Sequence, residues 1–136
     1  MIAMAAAFVA AGAAAALAAP QSAIVIDANT GKTLYASDAN GRRYPASLTK
    51  MMTLYLTFEA LSKGKIGKST QIPVSANAAA EPPTKLGVGK GGSISGDTAI
   101  LSMVTKSAND SSTALADFLG GSEANFARMR TAKARA

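Results

Sequence analysis

Hydrophobic and polar positions along this chain fall into several distinct rhythms, and each predicts a different element. Ile2 to Ala19 carries no polar side chain at all. Ser22 to Asp27 is then a short β-branched run, Ala28 to Lys32 is a turn cluster, and Thr33 to Ala36 is a second extended run, together predicting a hairpin. Ser37 to Tyr44 is polar and contains Asn40-Gly41, after which Pro45 sets the start of a helix. That helix holds Leu48, Met51, Met52, Leu54, Tyr55, Leu56, Phe58 and Leu61, with Thr49, Thr53 and Thr57 as its polar remainder, and it ends near Lys63-Gly64. A helix apolar on most sides is expected to be buried, which puts this one at the centre of its domain.

The second half is more punctuated. Gln71 to Val74 contains Pro73 and predicts a short edge strand. Ser75 opens a brief helical turn of alanines that Pro82-Pro83 stops. Gly87 to Gly92 formally matches G-x-G-x-x-G, but no clear strand precedes it and no helix opens directly from it, so it reads as a loop. Asp97 is the expected N-cap of a helix from Thr98 to Lys106, and Ser107 to Asp110 interrupts. A further helix carries Ala114, Leu115, Phe118 and Leu119 on one face and stops at Gly120-Gly121. Ser122 caps the last helix, which holds Phe126 and Met129 and becomes basic toward its C-terminus, as the helix dipole favours.

Composition narrows the chemistry. With 136 residues, one domain is expected. There is no His and no Cys, which excludes Ser-His-Asp triads, Cys-His dyads and His- or Cys-ligated metal sites. The formal charge is +6, from 14 Lys and Arg against 8 Asp and Glu, all of them after residue 26. The basic residues form no stripe and few aromatics lie among them, so nucleic acid is not an expected partner. The uncharged N-terminal run ends in Ala16-Leu17-Ala18-Ala19-Pro20, where small residues at −3 and −1 predict an export signal over residues 1–18, with Ala19 as an alternative end. No Lys or Arg precedes the run, and a membrane anchor is the competing reading.

Candidate chemistry lies at Pro45 to Lys50. Ser47 and Lys50 are three apart at a helix start, hence on one face. A lysine amine against an apolar helix is partly desolvated, which disfavours its charged form and lets it take a proton from a hydroxyl. Ser47 is then the nucleophile and Lys50 its base. A serine before an apolar helix is also an ordinary N-cap, and Ser62-Lys63-Gly64-Lys65 repeats the spacing at a solvated helix end. A second candidate, Ser107-Ala108-Asn109, lies between two helices, where its hydroxyl and amide could face a cleft, or simply cap; Ser75-Ala76-Asn77 repeats it. Residue chemistry by itself leaves both choices open.

Taken together, Ser47-Leu48-Thr49-Lys50 and Lys106-Ser107-Ala108-Asn109-Asp110 resemble the penicillin-binding serine D-alanyl-D-alanine carboxypeptidases of the low-molecular-weight group. The likeness extends over Asp27 to Gly31, Tyr44 to Ser47, Lys85-Leu86-Gly87 and the Ser107 region through Ala116. It implies an α/β fold of α+β type, the transpeptidase fold shared with β-lactamases, in which a mixed sheet carries a helical subdomain. It implies that Ser47 forms an acyl-enzyme with peptidoglycan stem peptides, that Lys50 and Ser107 handle the proton, and that Asn109 positions substrate. No cofactor or metal is implied, and β-lactams would acylate Ser47. The third family motif, Lys-Thr-Gly on a strand, does not occur, so residues 19–136 are read as the N-terminal part of the catalytic domain, with its C-terminal part missing. The protein is expected to be exported to the periplasm or cell envelope of a bacterium, with membrane association through a missing C-terminal segment left open. The competing functions are a non-catalytic exported fragment that binds cell-wall polymer, and a β-lactamase or endopeptidase on the same scaffold.

Overall fold

The computed structural model describes residues 21–136. The expected export signal lies outside the described residues. Two compact units divide the chain, the second being Pro45–Ala136.

The first unit contains the expected hairpin. Strand β1 (Ala23–Ile26) pairs antiparallel with β2 (Thr33–Ser37), with a bulge between Val25 and Ile26. Asp27 makes the turn. Its carboxylate accepts from the backbone N–H of Asn29 and Thr30 and from the Thr30 hydroxyl, at 3.0, 2.8 and 2.8 Å. The Thr30 hydroxyl first, then the two amides, hold that carboxyl below its ordinary range. Gly31 follows at φ +71°, a left-handed conformation that glycine adopts without strain.

In the second unit a 3-10 turn (Ala46–Leu48) runs into α1 (Thr49–Ser62). Strand β3 (Gln71–Pro73) and helix α2 (Ala76–Ala80) follow. Strand β4 (Ser93–Ser95) leads into α3 (Gly96–Lys106), α4 (Asn109–Gly120) and α5 (Glu123–Arg135). β3 pairs antiparallel with β4, setting Ile72 opposite Ile94, both buried. The sequence pattern missed β4, because three residues in a Ser- and Gly-rich stretch carry almost no periodicity. Its exit is tight. A Cβ at Gly96 would stand 2.8 Å from the Gly67 carbonyl oxygen, so only glycine fits where α3 starts.

Two expectations about helices are corrected. The N-cap of α3 is Ser95, whose hydroxyl accepts from Thr98 N–H, and Asp97 lies inside the first turn, where its charge still suits the dipole. More consequentially, α4 rather than α1 is the hub. α4 packs against α1, α2, α3, α5 and β3. Its inward residues Ser111, Ala114 and Ala116 are small, which lets neighbours approach closely around fully buried Leu115. Ile72, Val74, Ala78, Ile94, Ala99 and Met103 complete that core, and Leu56, Ala116 and Phe126 form a second cluster.

α1 turns an unexpected face inward. Thr53, Leu56, Thr57 and Ala60 are buried, whereas Met51, Tyr55 and Phe58 are 66, 54 and 51% exposed. With apolar residues on both faces, periodicity could not choose between them. The packed face is the one with small side chains, and Thr57 can be buried because its hydroxyl donates to the Thr53 carbonyl at 2.8 Å.

Candidate active site

The cleft of interest lies between the start of α1 and the α3–α4 junction. Ala46 takes φ +48°, a left-handed conformation costing a non-glycine residue about 1–2 kcal/mol, and turns Ser47 out at the head of α1. Ser47 is exposed and Lys50, one turn later, is half-buried. Opposite them α3 ends at Lys106, and Ser107 is left-handed (φ 55°, ψ 38°). Glycine is the usual occupant of such a position. Serine here keeps a hydroxyl at the point where the chain reverses. The backbone N–H groups of Ser107 and Ala108 donate to the carbonyls of Met103 and Ser102, both at 3.1 Å, satisfying the helix end.

The four expected site residues come together in one hydrogen-bonded row. Ser107 Oγ donates to Ser47 Oγ at 3.0 Å. Lys50 Nζ donates to Ser107 Oγ at 3.3 Å and to Asn109 Oδ1 at 2.7 Å. Asn109 Nδ2 in turn donates to the Pro82 carbonyl at 2.9 Å. One expectation changes in detail. Among the described residues no hydrogen bond joins Lys50 directly to Ser47; Ser107 stands between them, because the short bond to Asn109 holds the amine on the α4 side. Hydroxyls donate and accept, so a proton can travel this row in either direction.

Three members of the row, Ser47, Lys50 and Ser107, line an open cleft of about 510 Å³, whose other walls include Leu54, Met103 and Val104. Apolar walls with a few convergent polar groups are the usual form of a small-molecule site. The duplicate motifs lie elsewhere. The Ser62 hydroxyl donates back to the Glu59 carbonyl of its own helix. The hydroxyl of Ser75 accepts from Ala78 N–H as the N-cap of α2. Gly87 to Gly92 is loop and turn leading into β4.

One important residue escaped the sequence reading. Asp110 is 2% exposed, and its carboxylate accepts from the backbone N–H of Leu86, Gly87 and Ser111 at 2.9, 2.8 and 2.8 Å. Burial by itself would raise its pKa. The three amides, with the Lys85 charge nearby, outweigh burial and hold the carboxyl below its ordinary range. Thr84 was missed as well: its carbonyl accepts from Asn109 N–H at 2.8 Å and its hydroxyl donates to the Ser107 carbonyl at 3.2 Å. The Asp110 signal available in sequence was an acid in the first turn of a helix, which reads as a dipole partner and says nothing of a loop two dozen residues upstream.

Residues 9–136 match a family described as peptidase S11, D-alanyl-D-alanine carboxypeptidase. The D-alanyl-D-alanine carboxypeptidase DacF of Bacillus subtilis is 37% identical over 115 residues, covering 85% of this chain and 30% of that protein. DacA of Escherichia coli is 36% identical over 115 residues, 78% of this chain and 28% of its own length. Among solved structures, the D-alanyl-D-alanine carboxypeptidase DacD of Francisella tularensis superposes with a TM-score of 0.75 at 33% identity, over 82% of this chain and 27% of that one. Penicillin-binding protein 5 of Haemophilus influenzae gives 0.75 at 29% identity, over 86% of this chain and 36% of its own. The chain therefore spans about a third or less of the length of these relatives. Since the family match runs through both the Ser47–Lys50 and Ser107–Asn109 segments, this chain belongs to the D-alanyl-D-alanine carboxypeptidase family, peptidase S11.

Proposed function

We propose that the protein is a serine DD-carboxypeptidase that removes the terminal D-alanine from peptidoglycan stem peptides. The observation that carries this reading is the Ser47–Ser107–Lys50–Asn109 row, whose first three members line an open cleft. Ser47 Oγ attacks the carbonyl between the two terminal D-alanines. Its proton passes through the Ser107 hydroxyl to the Lys50 amine, which is uncharged at that moment. The C–N bond breaks as the same proton returns through Ser107 to the departing D-alanine nitrogen. Water then attacks the acyl-enzyme, gives its proton to Ser47 and releases the shortened peptide. Backbone N–H of Ser47, at the head of α1, donates to the developing oxyanion. Asn109 keeps the Lys50 amine in place and offers its amide edge to substrate.

A β-lactam presents a strained carbonyl in the same place, so it acylates Ser47. We read residues 1–18 as an export signal, residues 19–136 as the N-terminal part of the catalytic domain, and the periplasm or cell envelope as the site of action. Intact-mass spectrometry after incubation with a β-lactam, beside Ser47→Ala, tests the reading. A single adduct on the wild-type protein, absent from the variant, together with D-alanine released from a D-alanyl-D-alanine peptide, is the expected result. A protein that unfolds cooperatively yet stays unmodified would overturn it and leave a non-catalytic wall-binding module.

A further inference from the structure

Residues 82–87 are tied to the α3–α4 junction at both ends. At one end Asn109 Nδ2 donates to the Pro82 carbonyl, and Thr84 bonds both Asn109 N–H and the Ser107 carbonyl. At the other end the Asp110 carboxylate takes Leu86 N–H on one oxygen and Gly87 N–H on the other. We propose that Asp110 is a positioning residue of this site, whose buried carboxylate clamps residues 82–87 so that the segment fixes the Asn109 amide and the left-handed Ser107.

The Asn109 amide carries the effect. An Asn side chain has one accepting and one donating end, and its partners decide which end faces where. The Pro82 carbonyl can only accept, so it takes Nδ2, and Oδ1 is left facing Lys50. Were the segment to drift, the amide could rotate and present its donor end to the amine, and the row would break at Lys50. Ser107 needs the same support. Its conformation is unfavourable for a residue with a Cβ, so it persists only where its surroundings over-determine it. The Thr84 hydroxyl on its carbonyl, with the helix-end bonds, supplies that constraint. Asp110 touches neither Ser47 nor Lys50 by hydrogen bond. It acts at one remove, through a Gly- and Pro-containing loop without secondary structure.

This inference rests on the proposed acylation of Ser47, so its test reads both the chemistry and the clamp. Asp110→Asn keeps the shape of the side chain but exchanges one accepting oxygen for a donor facing an N–H. The variant is expected to unfold cooperatively and to keep pre-covalent β-lactam binding within about twofold, while its acylation rate constant falls about tenfold to a hundredfold. Amide exchange at Leu86 and Gly87 is expected to accelerate, and the Asn109 side-chain amide resonances to shift. If those two amides exchange faster while acylation is unchanged, the clamp has no role in positioning and the proposal is overturned. If acylation falls but the Asn109 amide stays put, it is overturned too. Should Asp110→Asn fail to fold, Thr84→Val carries the same expectation for acylation and for Asn109, and an unchanged rate rejects it. Wild-type protein that is never acylated would count against the carboxypeptidase reading; the resonances of Asn109 would then decide the clamp alone.

Discussion

Ser75-Ala76-Asn77 and Ser107-Ala108-Asn109 are the same three residues in the same order, folded in opposite senses. Ser75 follows β3 in extended conformation (φ −69°, ψ 169°) and its hydroxyl turns back onto its own helix, accepting from Ala78 N–H while donating to Asp117 at 2.7 Å. Ser107 follows a helix, is left-handed, and its hydroxyl faces across the cleft to Ser47 and Lys50. Asn77 is exposed and bonds Glu123 at 3.1 Å. Asn109 is half-buried and uses both ends of its amide. What precedes the tripeptide sets the backbone of its serine, and that backbone decides whether the hydroxyl caps its own helix or is left free to face Ser47 and Lys50. Both copies make contacts to distant segments, but the first keeps a local cap and reaches only carboxylates of α4 and α5, whereas the second joins the start of α1 across 60 residues.

The largest expected effect separates the two serines by chemistry. Ser107→Ala should slow β-lactam acylation of Ser47 by about 10²- to 10⁴-fold, the usual worth of a positioned proton carrier, while Ser75→Ala leaves it unchanged. Rates of adduct formation by mass spectrometry check this, and equal effects at both sites would break the contrast. Asn109→Ala should follow, with acylation slowed by about an order of magnitude or more as the amine loses its 2.7 Å acceptor. Asn77→Ala should leave the rate alone and move stability by no more than about 0.5 kcal/mol, as for most exposed positions.

Stability reverses the ranking of the serines. Ser75→Ala removes an N-cap and should lower the unfolding free energy by about 1 kcal/mol, read from the denaturant midpoint. Ser107→Gly should raise it by up to about 1 kcal/mol, because glycine relieves the left-handed strain, even as acylation is lost. Denaturant curves on both variants test whether position 107 trades stability for a hydroxyl.

The smallest effect is a pH dependence from Asp110, next to the second copy only. Its folded-state pKa is depressed, so the stability it adds is complete above the ordinary value of 3.8 and is lost as pH falls through the lower folded value. Asp110→Asn should therefore lose stability near neutrality and show a flatter acid limb below about pH 4, measured by unfolding at stepped pH. An acid limb identical to that of the wild type would remove Asp110 from the account.

Much of the local structure was legible because its causes are local. The Asp27–Gly31 turn, the Ser75 and Ser122 caps and the Gly120-Gly121 stop each depend on residues within a few positions of one another. The inward face of α1 was not legible, since its apolar residues lie on both sides and only the neighbours could choose. Nor was the clamp, because a carboxylate and two amides over 20 residues away share no pattern in the chain.

The amino-acid sequence sets the chemistry on offer: with no His and no Cys, a nucleophilic serine must rely on a base such as Lys50, and the spacing of Ser47 and Lys50 puts them one turn apart. It also determined the order and rough extent of most elements, because periodicity, caps and breakers act over one or two turns. Packing selects which Ser-Ala-Asn meets that lysine, sets Ser107 between Ser47 and Lys50, and puts α4 rather than α1 at the centre. Those outcomes depend on side-chain size and backbone handedness where helices meet, and a meeting between distant segments leaves no mark on either segment alone.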